Sequence, residues 1–132
     1  MRIGIIALGS KRLAQALNAA LSALRELGHE ATDTSNSLHS LNIFEFLIFI
    51  AETKGFFGAI DPSVAQSLVE CEGLQGKRCL AMMSRGGLRP ERALQNWMNA
   101  LEHEGLVVVE GEVFTDTKSV GAIVRNAPLR RA

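Results

Sequence analysis

Four short apolar segments govern what this chain can fold into: RIGIIAL at 2–8, IFEFLIFIA at 43–51, CLAMM at 79–83 and LVVV at 106–109. Each is nearly continuous in hydrophobicity instead of alternating, and most are rich in β-branched or aromatic residues. That pattern marks strands buried on both faces. Strands of this kind need helices above and below them, and the stretches between them supply helical periodicity. Leu13, Leu17, Leu21, Leu24 and Leu27 recur every three or four residues, and Gly28 follows where a left-handed cap belongs. Asp61 and Pro62 open a second helix with the stripe Val64, Leu68 and Cys71. Pro90 and Glu91 open a third, carrying Leu94, Trp97, Met98 and Leu101 and stopping at Gly105. Strands alternating with amphipathic helices predict right-handed crossovers and a parallel sheet.

The remaining strand falls in HEATDTSN at 29–36, which is polar apart from Ala31. A polar strand belongs at a sheet edge. No crossover helix is evident after it, only SNSLHSLN at 35–42, with room for one helical turn through Leu38 and Leu41. The final segment, VFTDTKSVGAIVRNAP at 113–128, reads as the end of the last strand and a short helix closed by Pro128. The layout predicts a single α/β domain over 1–132, a doubly wound three-layer sandwich whose five-stranded parallel sheet has the order 2-1-3-4-5.

Charge and composition restrict function. The 132 residues hold 14 Lys and Arg against 14 Asp and Glu, so no global field steers nucleic acid or an anionic membrane. No secretory leader is evident at MRIGII, and the longest apolar run is about half the roughly 20 residues a membrane helix needs. A soluble, cytoplasmic protein is expected. Cys71 and Cys79 have neither redox-pair nor zinc spacing and read as core thiols, and no histidine has a plausible metal partner, so no metal site is expected.

In such a sheet, ligands bind beyond the carboxyl ends of the strands at the switch point. Three loops there are unusual for mere connections: LGSKR at 8–12, AETKGFFGAID at 51–61 and SRGGLRPE at 84–91. The first places Lys11 and Arg12 at a helix start, where the dipole disfavours cations unless an anion is present. Several chemistries are excluded by residue type. A dinucleotide fingerprint or a P-loop needs more glycines than Gly9 alone, and a phospho-receiver needs an aspartate where strand three ends in Ala51 and Glu52. A nucleophile elbow at Ser84 lacks its first glycine, which ranks hydrolysis third among the readings.

These three loops give the chain a resemblance to the flavodoxin-like superfamily over nearly its whole length. The loop GSKRLA is a shortened phosphate loop with one hydroxyl, and its GS-x-R start is similar to NADPH-dependent FMN reductases. The resemblance implies FMN as cofactor and a role in electron transfer or flavin-dependent reduction as an oxidoreductase. By position, Gly9, Ser10, Lys11 and Arg12 would meet the phosphate. Thr53, Lys54, Gly55, Phe56, Phe57 and Gly58 would flank one side of the ring, with Ser84, Arg85, Gly86 and Gly87 on the other. No separate catalytic side chain is implied. Flavin or another phosphate-bearing small molecule, a redox protein and a second copy of the chain are the partners such a protein would take. The competing reading is a flavodoxin-like binding or assembly module that has lost FMN and binds another anionic ligand or a protein partner.

Overall fold

A computed structural model describes residues 1–53, 59–85 and 89–129. Its elements run β1 (Arg2–Leu8), α1 (Ala14–Glu26), β2 (Glu30–Asp33), β3 (Phe46–Glu52), α2 (Pro62–Glu70), β4 (Arg78–Ser84), α3 (Pro90–His103), β5 (Val107–Phe114) and α4 (Thr117–Asn126). All neighbouring strands pair in parallel, in the order β2-β1-β3-β4-β5. The apolar strands β1, β3 and β4 thus occupy the centre. The polar β2 is an edge, with Ala31 its only buried residue.

Side chains divide by alternation between two cores. On one face Ile3 and Ile5 of β1, Phe46, Ile48 and Ile50 of β3, and Leu80 and Met82 of β4 pack beneath α1 and α4. On the other, Ile6, Leu8, Leu47, Phe49, Cys79, Ala81 and Met83 pack beneath α2 and α3, where Trp97 is fully buried. No helix crosses from β2 to β3. The link instead makes one 3-10 turn at Leu41–Ile43, and Leu41 and Phe44 are buried as its plugs. A glycine inside a buried strand marks close approach of another group. Here it is Gly4, whose added Cβ would lie 2.9 Å from the Phe44 ring.

Details at the ends of elements differ from the sequence expectation. A 3-10 turn, Lys11–Leu13, precedes α1, and Leu27 lies outside the buried stripe, 47% exposed. Gly28, at φ +87°, ends the helix in the conformation a left-handed cap requires. Cys71 is the half-buried cap just past the end of α2, packed against the same core as the helix stripe. β5 ends at Phe114, where the sequence placed the end of the last strand, and its pairing with β4 shifts register at Cys79/Leu80.

Candidate functional site

The carboxyl ends of β1, β3 and β4 lie side by side, so the loops singled out above share one edge of the sheet. Leu8 is in register with Ala51, and Ala51 with Met83. One residue further, two hydrogen-bonded links cross the strand ends. Glu52 Oε1 accepts from the Ser10 backbone N–H at 2.8 Å, and Glu52 Oε2 accepts from Ser10 Oγ at 2.9 Å. Thr53 Oγ1 donates to the Ser84 carbonyl at 2.6 Å, and the Thr53 N–H donates to Ser84 Oγ at 3.3 Å.

The β1 loop is shaped around that carboxylate. Gly9 has φ +150°, and a Cβ there would come within 3.1 Å of Glu52 Oε1. Ser10 Oγ also accepts from the Arg12 N–H at 3.3 Å, capping the first turn. Lys11 and Arg12 are exposed. The Glu52 carboxylate thus lies against Ser10 at this helix start, while among the described residues no ion pair joins it to Lys11 or Arg12. Glu52 is a residue of this edge that the motif reading did not assign. The sequence shows it only as an acidic residue ending the strand that the predicted order sets beside β1.

Gly9, Ser10, Lys11 and Arg12 follow one another in the β1–α1 loop at this edge. Thr53, Ser84 and Arg85 come together at the ends of β3 and β4, with the Arg85 N–H donating to the Phe114 carbonyl at 2.9 Å. Thr53 is buried and its hydroxyl proton is committed to Ser84, so it ties the two strands instead of facing outward. Lys54, Gly55, Phe56, Phe57, Gly58, Gly86 and Gly87 lie outside the described residues. Beside Gly9 there is a cavity of about 210 Å³, walled by Ala7, Leu8, Ser35, Asn36, Ser63, Val64 and Ser67, none of which is charged. It lies between the end of β1, the start of the β2–β3 link and the first turns of α2.

The two thiols stand apart from this edge chemically. Burial, reinforced by Glu104 and Glu70, pushes Cys71 up to about 11, and burial with Glu102 pushes Cys79 up to about 12. Thiols so shifted are poor nucleophiles and poor metal ligands at neutral pH.

The geometry tests whether the loop fits the phosphate of FMN. A flavodoxin-type cradle needs the Ser10 amide and hydroxyl free to donate to an anion. Both already donate to Glu52, and a phosphate placed there would meet its carboxylate. As arranged, the residues do not fit that phosphate.

No protein-family model matches the chain, and no curated protein sequence does. Solved structures do match, and they define a flavodoxin-like fold. Two-electron reduced flavodoxin of Megasphaera elsdenii superposes with a TM-score of 0.66 at 15% identity, covering 96% of this chain and 100% of that one. Streptococcus pneumonia TIGR4 flavodoxin gives 0.64 at 13% identity, over 93% and 94% of the two chains. Fusobacterium nucleatum flavodoxin, in a structure bound to flavin mononucleotide, gives 0.61 at 15% identity over 93% and 94%. Among the described residues, no helix is long and apolar enough to cross a membrane.

Proposed function

We propose that this chain is a flavodoxin-fold binding module that does not hold FMN by its phosphate. It recognises an uncharged small ligand, or an uncharged group of a partner protein, at the carboxyl edge of the sheet. The observation that carries this reading is the pair of hydrogen bonds from Ser10 to Glu52, which gives the phosphate loop an anion of its own. The neighbouring cavity supports an uncharged occupant, because its walls offer hydroxyls, an amide and apolar carbons but no charge. We place the protein in the cytoplasm, where two free cysteines stay reduced.

A second reading, an FMN-dependent electron-transfer or reductase protein, is favoured by the likeness to flavodoxins, one of them described as bound to FMN. In that reading the flavin supplies the redox chemistry. Its ring would be held by Thr53, Lys54, Gly55, Phe56, Phe57 and Gly58 on one side and Ser84, Arg85, Gly86 and Gly87 on the other. The readings part on the colour of the purified protein and on titration with FMN followed by flavin fluorescence. The first predicts a colourless protein and unquenched fluorescence up to millimolar FMN. A yellow protein that quenches FMN at micromolar concentration overturns it and establishes the second.

A further inference from the structure

We propose that the open edge of β5 is a docking strand for a partner protein: it takes up an extended segment by strand addition, and Glu110 and Glu112 select one with lysine or arginine at alternate positions. This edge runs along the side of the sheet, so its occupancy is independent of what fills the cavity beside Gly9.

The two edges of the sheet are finished differently. β2 offers only four residues, Glu30–Asp33. The Glu30 and Thr34 N–H groups donate to β1, so Ala31 turns its backbone outward, and the Arg25 guanidinium already donates to the Ala31 carbonyl at 3.1 Å. The charges of β2 are partnered as well, since Glu30 pairs with Arg2 and the Asp33 carboxylate accepts from Ser35. Short length and occupied groups close an edge. β5 has eight residues, Val107–Phe114, with no proline and no lysine among them. The Phe114 carbonyl accepts from Arg85 on the β4 side, so by alternation Gly111 and Val113 turn their N–H and C=O groups to the open side. Among the described residues no strand lies beyond β5 and nothing hydrogen-bonds to them there. A bare edge of this length is a template for another strand.

The charge of the occupant follows from the side chains. Glu110 stands opposite Leu80 and Glu112 opposite Met82, so both carboxylates rise from the same face of the strand. Among the described residues neither takes part in an ion pair, in contrast to Glu26 and Glu30. Burial, and then the charge of Glu112, hold the Glu110 carboxyl above its ordinary value, as befits an anion with no cation beside it. A strand laid on β5 brings its own side chains within about 4.5–5.5 Å of these two positions, where lysine or arginine would neutralise both. A second copy of the chain fits worse. Two β5 strands related by a two-fold axis normal to the sheet pair antiparallel, with residues of one face opposite residues of the same face. The two registers of greatest overlap then set Glu110 against Glu110, or Glu110 against Glu112, and like charges directly opposite are destabilising. The glutamates thus bar self-association through this edge and leave it open to a basic strand.

The test titrates the protein with a synthetic peptide of alternating lysine and threonine, matched to the eight residues of β5, and with its glutamate–threonine counterpart. Backbone amide signals of Gly111 and Val113 in two-dimensional NMR spectra, together with their hydrogen exchange, report on the edge. The lysine peptide should shift both signals saturably and slow their exchange, while the glutamate peptide leaves them in place. Glu110→Gln combined with Glu112→Gln keeps the strand and removes the charge. It should weaken the lysine peptide about tenfold, the weight of two exposed ion pairs, and flatten its salt dependence. Silence of Gly111 and Val113 up to millimolar lysine peptide, equal response to the two peptides, or unchanged affinity in the double Gln variant overturns the proposal. Protection of the two amides that grows with protein concentration in the absence of peptide places a second copy on the edge and overturns it as well.

Discussion

The two faces of the sheet are covered by different means. On one, α1 and α4 lie along each other and close over Ile3, Ile5, Ile48 and Ile50, a continuous helical lid. On the other, α3 covers β4 and β5, while over β1 the cover is α2 together with an irregular segment plugged by Leu41 and Phe44. A parallel sheet needs its apolar face hidden, but the covering chain need not be a crossover helix. A few large side chains on a short link suffice when the strand beneath offers a glycine to receive them. The cavity beside Gly9 lies where this link, the end of β1 and α2 meet.

The largest expected effect comes from the helix-covered part of the second face. Trp97 is fully buried and sits edge-on to Phe49, with ring centroids 6.2 Å apart. Trp97→Ala should cost about 3–5 kcal/mol in urea unfolding followed by circular dichroism, and Leu24→Ala beneath α1 about 2–5 kcal/mol. Among the described residues the Trp97 indole N–H has no hydrogen-bond partner. Trp97→Phe, which keeps an aromatic ring and removes that unpaired donor, should therefore lose much less than Trp97→Ala. A Trp97→Ala loss below that of an exposed substitution would show that the second face is not a packed core at all.

A sharper contrast lies in two glycines, one on each face. At Gly4 a Cβ would press on ring carbons of Phe44, at 2.9 and 3.0 Å, and on Leu47 at 3.1 Å. Gly4→Ala should cost about 1–3 kcal/mol by overpacking, and pairing it with Phe44→Leu should recover part of the loss. At Gly121, in α4, the nearest atoms to an added Cβ are the far end of the Arg125 side chain, from 3.1 Å. Gly121→Ala should raise stability by about 0.5–1 kcal/mol, the gain from replacing glycine inside a helix. Arg125 would have to shift from its exposed pair with Glu26, a contact that contributes little. Equal effects at the two sites, read from denaturation midpoints, would break the argument that Phe44 replaces a helix.

The same contrast explains what could be read without coordinates. The strand order followed from the unbroken hydrophobicity of RIGIIAL and IFEFLIFIA against the polarity of HEATDTSN, since burial on both faces writes itself into composition. Helix starts at Asp61 and Pro90 were legible because capping is local chemistry. The role of Glu52 was not, because its partner Ser10 lies 42 residues away and meets it only through the register of β1 on β3. Lys11 and Arg12 pointed to an anion beside the first loop. Position in the chain could not tell an internal carboxylate from an external phosphate, as both satisfy the same donors. Gly4 was likewise visible only as an interruption in a strand, with Phe44 hidden in a link that has no periodicity.

The smallest expected effect concerns how the covering helices begin. Asp116 caps α4, accepting from the Ser119 N–H and the Ser119 hydroxyl, both at 2.8 Å. Asp61 caps α2 in the same manner, accepting from the Ser63 N–H at 2.9 Å and its hydroxyl at 2.7 Å. The backbone bond from Ser119, followed by that from its side chain, holds the Asp116 carboxyl below its ordinary value. A depressed carboxyl stabilises the fold above the unfolded value, and the contribution is lost as pH falls through the folded one. Asp116→Ala should therefore lower the denaturation midpoint modestly at neutral pH, and its deficit relative to the wild type should shrink on acidification. Asp116→Asn, a neutral capping residue, should show a smaller deficit. A deficit for Asp116→Ala that persists unchanged into strong acid would mean that the carboxylate charge contributes nothing to holding α4.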